Sequence, residues 1–384
     1  MAVYKIFPEK DATLYSAYPT QNTGLDEIIE ASTTFIPDAA NVSRFLIKFS
    51  TTEITNTINN IISGSVTDST GSLLPDNKTF QSNLRGFLSV VDELSEDTVL
   101  EIYPISESWS MGTGKLSDDP ITTNGCSWTY KNGSNNRWAT ASYSEGVTSS
   151  YQDDNPGGGA WYTASIDGLS VKTSQTFNYA DDKDLNVDVT NVIRLISSES
   201  LVNEGFIIKQ SEDSEFVAQQ GKSAALKYFS IDTHTIYPPQ LEFKWRDYTF
   251  DTGSSTNSII NTSQMVATLA DNGKDFRRDS IRKFYINCRP QFPTRVFQTS
   301  SLYNTNHYLP TSSYYAIKDL DTNEFVIDFD TNYTQISADS EGSLFKLYMN
   351  GLQPERYYKI LVKTTIGRDT IILDDNYYFK IING

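Results

Sequence analysis

The stretch SSYYAIKDLDTNEFVIDFD (312–330) decides the fold class. It reads as a β-hairpin. Two runs rich in aromatic and β-branched residues flank DTN (321–323), which supplies the turn. Runs of the same kind surround it: RKFYINCRP (282–290), LFKLYM (344–349), RYYKILVKT (356–364) and NYYFKII (376–382). Further towards the N-terminus come ATLYSAY, SRFLIKF, TVLEIYPI, EGFIIKQ, LKYFSI and QLEFKW. All are short, and Gly, Asn, Asp, Ser and Pro clusters separate them. Helical spacing is rare. VDVTNVIRLISSESL (187–201) is the best helix candidate, with Asp188 or Thr190 as its cap and Val192, Ile193 and Ile196 on one face. STTEITNTINNIISG (50–64) is a second. No repeat of fixed period appears. The expectation is an all-β chain.

The chain has 384 residues, 38% of them hydrophobic, with 23 Tyr and 20 Phe. That is enough apolar mass for two sizeable cores. The formal net charge is −17. Such a surface repels nucleic acid and anionic membranes, so neither is expected as a partner. FRRDSIRKF (276–284) is a local exception, and Arg277, Arg278, Arg282 and Lys283 are interaction candidates. Cys126 and Cys288 lie far apart and imply no disulfide framework. No apolar run approaches a membrane span. The first residues show no apolar signal core and no cleavage site, so manufacture and use in the cytosol, or release by another route, is expected.

The character of the chain changes near residues 245–260. FKWRDYTF (243–250) closes one strand-rich block, and DTGSSTNSIINTS (251–263) has linker composition. The expected division is a domain over 1–248, a linker over 249–262 and a smaller domain over 263–384.

Within the first block, SWSMGTGKLSDDPITTNGCSWTYKNG (108–133) invites a functional reading. Its GTGK is not a phosphate loop, because that motif needs GxxxxGK[ST] between a strand and a helix, and Asp118 and Asp119 would repel phosphate. The surrounding order of motifs is more informative. KDATLYSAYPTQNTG (10–24), SRFLIKFS (43–50), this Trp-rich region, NVDVTNVIRLI (186–196), GFIIK (205–209) and PPQLEFKW (238–245) follow one another. In that order they resemble the disaggregatase-related (DNRLRE-type) β-jelly-roll domain, a neighbour of carbohydrate-binding modules. The likeness spans about residues 1–245, with longer loops in this chain. It implies a jelly-roll-like sandwich in which Trp109 and Trp128 are packing residues; an exposed Trp pair would instead stack on sugar rings. Jelly rolls also often hold a structural calcium ion. Asp118, Asp119, Asp153 and Asp154 are the candidate ligands, with Asp181, Asp182 and Asp184 a further acidic cluster.

In the second block, LQPERYYKILVKT (352–364) is similar to the E–F corner of a fibronectin type III or immunoglobulin-like sandwich. The resemblance implies a buried Tyr358 whose hydroxyl bonds to nearby backbone.

Catalytic chemistry finds few parts. His234 and His307 match no zinc or triad spacing, and no GxSxG or HExxH occurs. No single carboxylate pair stands out for glycoside hydrolysis. The whole chain resembles structural proteins of tailed-bacteriophage virions, which reuse both domain types in capsid decorations, necks, tails and fibres. That resemblance implies a non-enzymatic protein without a cofactor. It would be assembled in the host cytoplasm and bound to other virion proteins in a multi-copy assembly. Its contact surfaces would be the loops at 64–84 and 146–163, the latter with Trp161, and the basic segment. The alternatives are a carbohydrate-binding module touching host glycans and, third, a polysaccharide-active enzyme.

Overall fold

The fold comes from a computed structural model. It describes residues 2–36, 39–61, 80–92, 94, 97–139, 147–149, 157–180, 182–211, 214–215, 223–253, 258–270, 273–292 and 307–383. Strands take up 48% and helix 8%, an all-β fold of sandwich type. The chain divides into two compact units. The larger is Ile6–Ile58 with Gln81–Glu242. The smaller is Met1–Lys5, Asn59–Phe80 and Phe243–Gly384. The smaller unit thus takes in short pieces from the N-terminal part of the chain, and the division falls inside the strand Gln240–Trp245.

The larger unit is built on a sheet of eight strands among the described residues. Its order is Thr173–Phe177, Thr98–Pro104, Phe206–Gln210, Ala39–Phe49, Ile28–Ile36, Ser223–Phe229, Leu88–Asp92, and Pro8–Tyr15 also pairs with Ala39–Phe49. Neighbours run antiparallel. Phe206–Gln210 is buried along its whole length, as a central strand covered on both faces must be. A second sheet pairs Leu185–Asp188 with Gln81–Gly86. Two α-helices occur among the described residues, Thr51–Asn60 and Thr190–Ser197, within the two expected segments. The second buries Val192, Ile193, Leu195 and Ile196. Its capping differs from expectation. The residue before it is Val189, which offers no side-chain bond. Asp188 instead accepts the Thr190 N–H at 2.9 Å, and Thr190 Oγ1 accepts the Ser82 N–H at 2.9 Å. The helix start is therefore tied to the sheet rather than capped locally.

In the smaller unit two six-stranded sheets pack their apolar faces together. One runs Ser258–Ile259, His307–Tyr308, Ile281–Pro290, Gly342–Tyr348, Ser337–Asp339, with Met265–Leu269 also on Ile281–Pro290. The other runs Asp275–Arg277, Tyr378–Ile382, Tyr357–Ile366, Ser313–Asp319, Phe325–Ile327, with Asp369–Leu373 also on Tyr357–Ile366. Side chains alternate faces along a strand. Tyr358, Ile360 and Val362 accordingly enter the core with Phe284, Tyr315, Phe345 and Phe379. The hairpin forms where the sequence places it, with Ile317 opposite Ile327. Asp319 shapes its turn by accepting the N–H groups of Asp321 and Thr322, and Asn323 takes a positive φ of 63°. The stretch 249–262, read from composition as a linker, is paired into this unit at both described ends. Asp251 N–H donates to Ala338 O at 3.0 Å, and Ser258–Ile259 runs parallel to His307–Tyr308.

Candidate functional site

The Trp-rich region lies over one face of the large sheet. Trp109, Trp128, Trp138 and Trp161 share a core with Leu14, Val42, Leu46, Tyr103 and Ile207. All five tryptophans of the chain, Trp245 included, are only 1–4% exposed. Trp161, an interaction candidate by sequence, is thereby placed inside, its ring 6.0 Å from that of Tyr103. Indole N–H groups bond where carbonyls are in reach: Trp109 to Glu204 O and Trp138 to Ser127 O, both at 2.9 Å.

Asn22 organises this layer. Its amide nitrogen donates to Met111 O at 2.6 Å and Cys126 O at 2.8 Å. Its Oδ1 accepts the Gly114 N–H at 2.8 Å. The glycines of the segment answer to that packing. A Cβ on Gly112 would overlap Asn22 Oδ1, one on Gly114 would overlap Asn22 O, and one on Gly125 would overlap Asn22 Nδ2. Three backbone donors of GTGK are consumed as well. Thr113 N–H goes to Asn124 Oδ1 at 3.0 Å, and Lys115 N–H to Asp118 Oδ2 at 2.9 Å. A phosphate nest needs such groups unpaired and convergent.

Under this layer sits a buried ionic network. Arg44 lies in a bidentate pair with Glu215, Nε–Oε1 3.0 Å and Nη2–Oε2 2.5 Å, both side chains fully buried. Its Nη1 donates to Gly158 O at 2.9 Å. The guanidinium stands 4.9 Å from the Trp128 ring and 5.3 Å from the Trp161 ring. Lys209 bridges Glu215 at 3.6 Å and Glu101 at 3.5 Å. Glu101 also accepts from Lys172 at 2.6 Å and from the Tyr103 hydroxyl at 3.0 Å. Burial lowers the Lys209 pKa, opposed by Glu215. Burial alone would raise Glu101, but Lys172, Lys209 and Tyr103 hold it below its ordinary value. Both glutamates face cations, which suits a carboxylate held as a structural counter-charge. Sequence reading passed over this network. Its signal was charge inside three apolar strands: Arg44 and Lys48 in SRFLIKF, Lys209 in GFIIKQ and Glu101 in VLEIYPI.

Asp11 behaves differently. It is buried, accepts the Ile231 N–H at 2.7 Å, and is pushed up to about 8 by burial, with Asp232 adding to the shift. Cys126 and Cys288 are buried free thiols, and burial pushes both up to about 12.

The calcium candidates divide. Asp118 Oδ2 is engaged by the Lys115 N–H and by Thr122 Oγ1 at 2.7 Å, which hold it below its ordinary value. Asp119 is exposed. Asp153, Asp154 and Asp181 lie outside the described residues. Asp184 accepts the Leu88 N–H at 2.8 Å, and Asp182 the Asp184 N–H at 3.1 Å. No group of three or more His, Cys, Asp or Glu with metal-holding geometry occurs among the described residues. His234 stands 3.6 Å from Glu27, while His307 bonds Ser258 at 3.0 Å.

The four cations of the basic segment do not form one patch. Arg277 ends the strand Asp275–Arg277 and is exposed, and Arg278 follows half-buried in the turn. Arg282 and Lys283 start a strand of the other sheet. There Arg282 is half-buried, 5.6 Å from the Phe276 ring, while Lys283 is exposed opposite Lys346. Of the loops expected to make contacts, 64–79, 146 and 150–156 lie outside the described residues.

Comparison of the chain with family models, with curated proteins and with solved structures finds no match. What stands is a protein of two all-β, sandwich-type units.

Proposed function

We propose that the protein is a non-enzymatic structural component of a virion of the tailed-bacteriophage kind. It works by contacts with other proteins in a multi-copy assembly. The observation that carries this reading is the internal use of its most reactive-looking parts. The GTGK turn spends its donors on Asn22, Asn124 and Asp118. The tryptophans that a glycan platform would display are core residues. The buried charges neutralise one another. Aromatic packing and buried ion pairs of this sort make rigid scaffolds. On this reading no cofactor is needed, and calcium chelation leaves the melting temperature unchanged.

The test is to purify particles from lysed host cells and look for the chain by mass spectrometry and labelled-antibody microscopy. Stoichiometric presence in the particle is expected, with no release of reducing ends from polysaccharides. A chain absent from particles that hydrolyses a polysaccharide would end the proposal.

A further inference from the structure

The outer face of the sheet Asp275–Arg277, Tyr378–Ile382, Tyr357–Ile366, Ser313–Asp319, Phe325–Ile327 has an unusual make-up. Residues whose neighbours enter the core must point outward. On Tyr357–Ile366 these are Tyr357, Lys359, Leu361 and Lys363. Cross-strand pairing sets them in rows. One row is Phe325, Lys318, Lys359, Tyr378. Another is Tyr314, Lys363, Ile372. A third runs Tyr357, Lys380, Asp275, with Arg277 following at the edge opposite Ile382. Phe325, Tyr357, Tyr378 and Ile372 are 43%, 44%, 48% and 58% exposed. Lys359 is paired with Asp374 at 2.6 Å, and Lys380 with Glu355. Lys318, Lys363 and Arg277 have no carboxylate partner among the described residues. Lys318 rests on the Phe325 ring at 5.3 Å, and Lys363 on that of Phe329 at 4.7 Å. Lys318 and Lys359 stand directly opposite; Asp374 offsets the charge of Lys359, and Lys318 keeps its own.

The charge of the chain is divided just as unevenly. The larger unit holds 13 Lys and Arg against 30 Asp and Glu, the whole net −17, while the smaller holds 18 against 18. Two larger units repel each other. A larger unit meeting the lysine–aromatic face does not, because the aromatic rings supply buried area and the lysines supply complementary charge.

We propose that this face docks on the acidic larger unit of a second copy of the chain, in a head-to-tail contact. The inference rests on the assembly reading above and names the partner. Such a contact uses different surfaces on the two copies, so it propagates into a ring or a filament rather than closing as a dimer.

Sedimentation of the full chain tests it, at concentrations up to about 0.2 mM and salt of about 0.02 M, where charge contacts are least screened. The mass should rise with concentration and fall back in about 0.5 M NaCl. Lys318→Glu with Lys363→Glu should weaken association at least tenfold with an unchanged circular-dichroism melt. Should that pair not fold, Lys318→Ala with Lys363→Ala carries the same expectation with a smaller loss. The folded variant keeps its acidic surface, so added to wild type it should cap and shorten the assemblies. A wild-type chain that stays monomeric throughout, variants that associate as well as wild type, or a variant without capping effect would each overturn the proposal. So would a monomeric wild type that binds polygalacturonate through Lys318 and Lys363, which would assign the face to an anionic glycan. A chain found in particles yet monomeric in solution would end this inference and leave the virion reading standing.

Discussion

Tyr358 closes a loop of only five residues. Its hydroxyl donates to Gln353 O at 3.2 Å and accepts the Gln353 N–H at 2.7 Å, with the ring buried. That is the arrangement expected of a corner tyrosine in an immunoglobulin-like sandwich. Tyr358→Phe should lower the stability of the smaller unit by about 0.5–1.5 kcal/mol, the net worth of a hydrogen bond. A denaturation midpoint unmoved by the substitution would deny the bond any weight. Asp11 offers a test of the opposite sign. Its folded pKa, about 8, stands above the ordinary aspartate value of 3.8, so the folded chain holds the proton more tightly than the unfolded one. Stability from this group is full below about pH 4 and is lost as pH rises through 8, at up to about 1.4 kcal/mol per pH unit. Asp11→Asn should therefore gain on wild type steadily between pH 5 and pH 8, read as the difference in melting temperature. A constant difference would mean that Asp11 is ionised in the fold.

Elements here are joined by side chains as much as by backbone. The segment 105–139 contributes one short hairpin, Tyr130–Asn132 with Asn136–Arg137, and is held both by bonds of its own and by groups outside itself. Asn22 grips it at three backbone atoms, and Gln21 Nε2 adds Lys115 O at 2.9 Å and Leu116 O at 2.8 Å. Asn22→Ala should cost at least about 2 kcal/mol, because it strands buried carbonyls and an N–H as well as removing bonds. Amide exchange should localise the loss: Gly114 and Cys126 should open faster than the strands of the large sheet. Uniform loosening across the larger unit would show that Asn22 does not act on the loop in particular.

At the scale of the whole molecule the two units differ most in charge. Self-repulsion weighs on the larger unit, with its net −17, and not on the neutral smaller one. Raising salt from about 0.02 to about 0.3 M screens that repulsion. Amide exchange resolved by residue should show protection growing in Thr98–Pro104 and Phe206–Gln210 but not in Tyr357–Ile366. Equal gains in both units would remove charge as the distinguishing term.

The sequence by itself determined what is local. Alternating apolar residues set the strands, and the turn chemistry of DTN set the hairpin, because both depend on neighbours within a few positions. The corner tyrosine was legible for the same reason, its partner being five residues away. Even the burial of Trp128 and Trp245 could be expected from ring size alone. Tertiary structure decided whatever joins distant residues. The pairing of Arg44 with Glu215 spans 171 positions, and no pattern in either neighbourhood names the other. Trp161 looked like a loop-borne contact until Tyr103 and Arg44 closed over it. The basic run 276–284 looked like one patch. Its cations part company because the chain turns at Ser280 from one sheet into the other. Arg277 and Lys283 then point outward from different sheets, while Arg282 shares the core side of its strand with Phe284 and lies on the Phe276 ring.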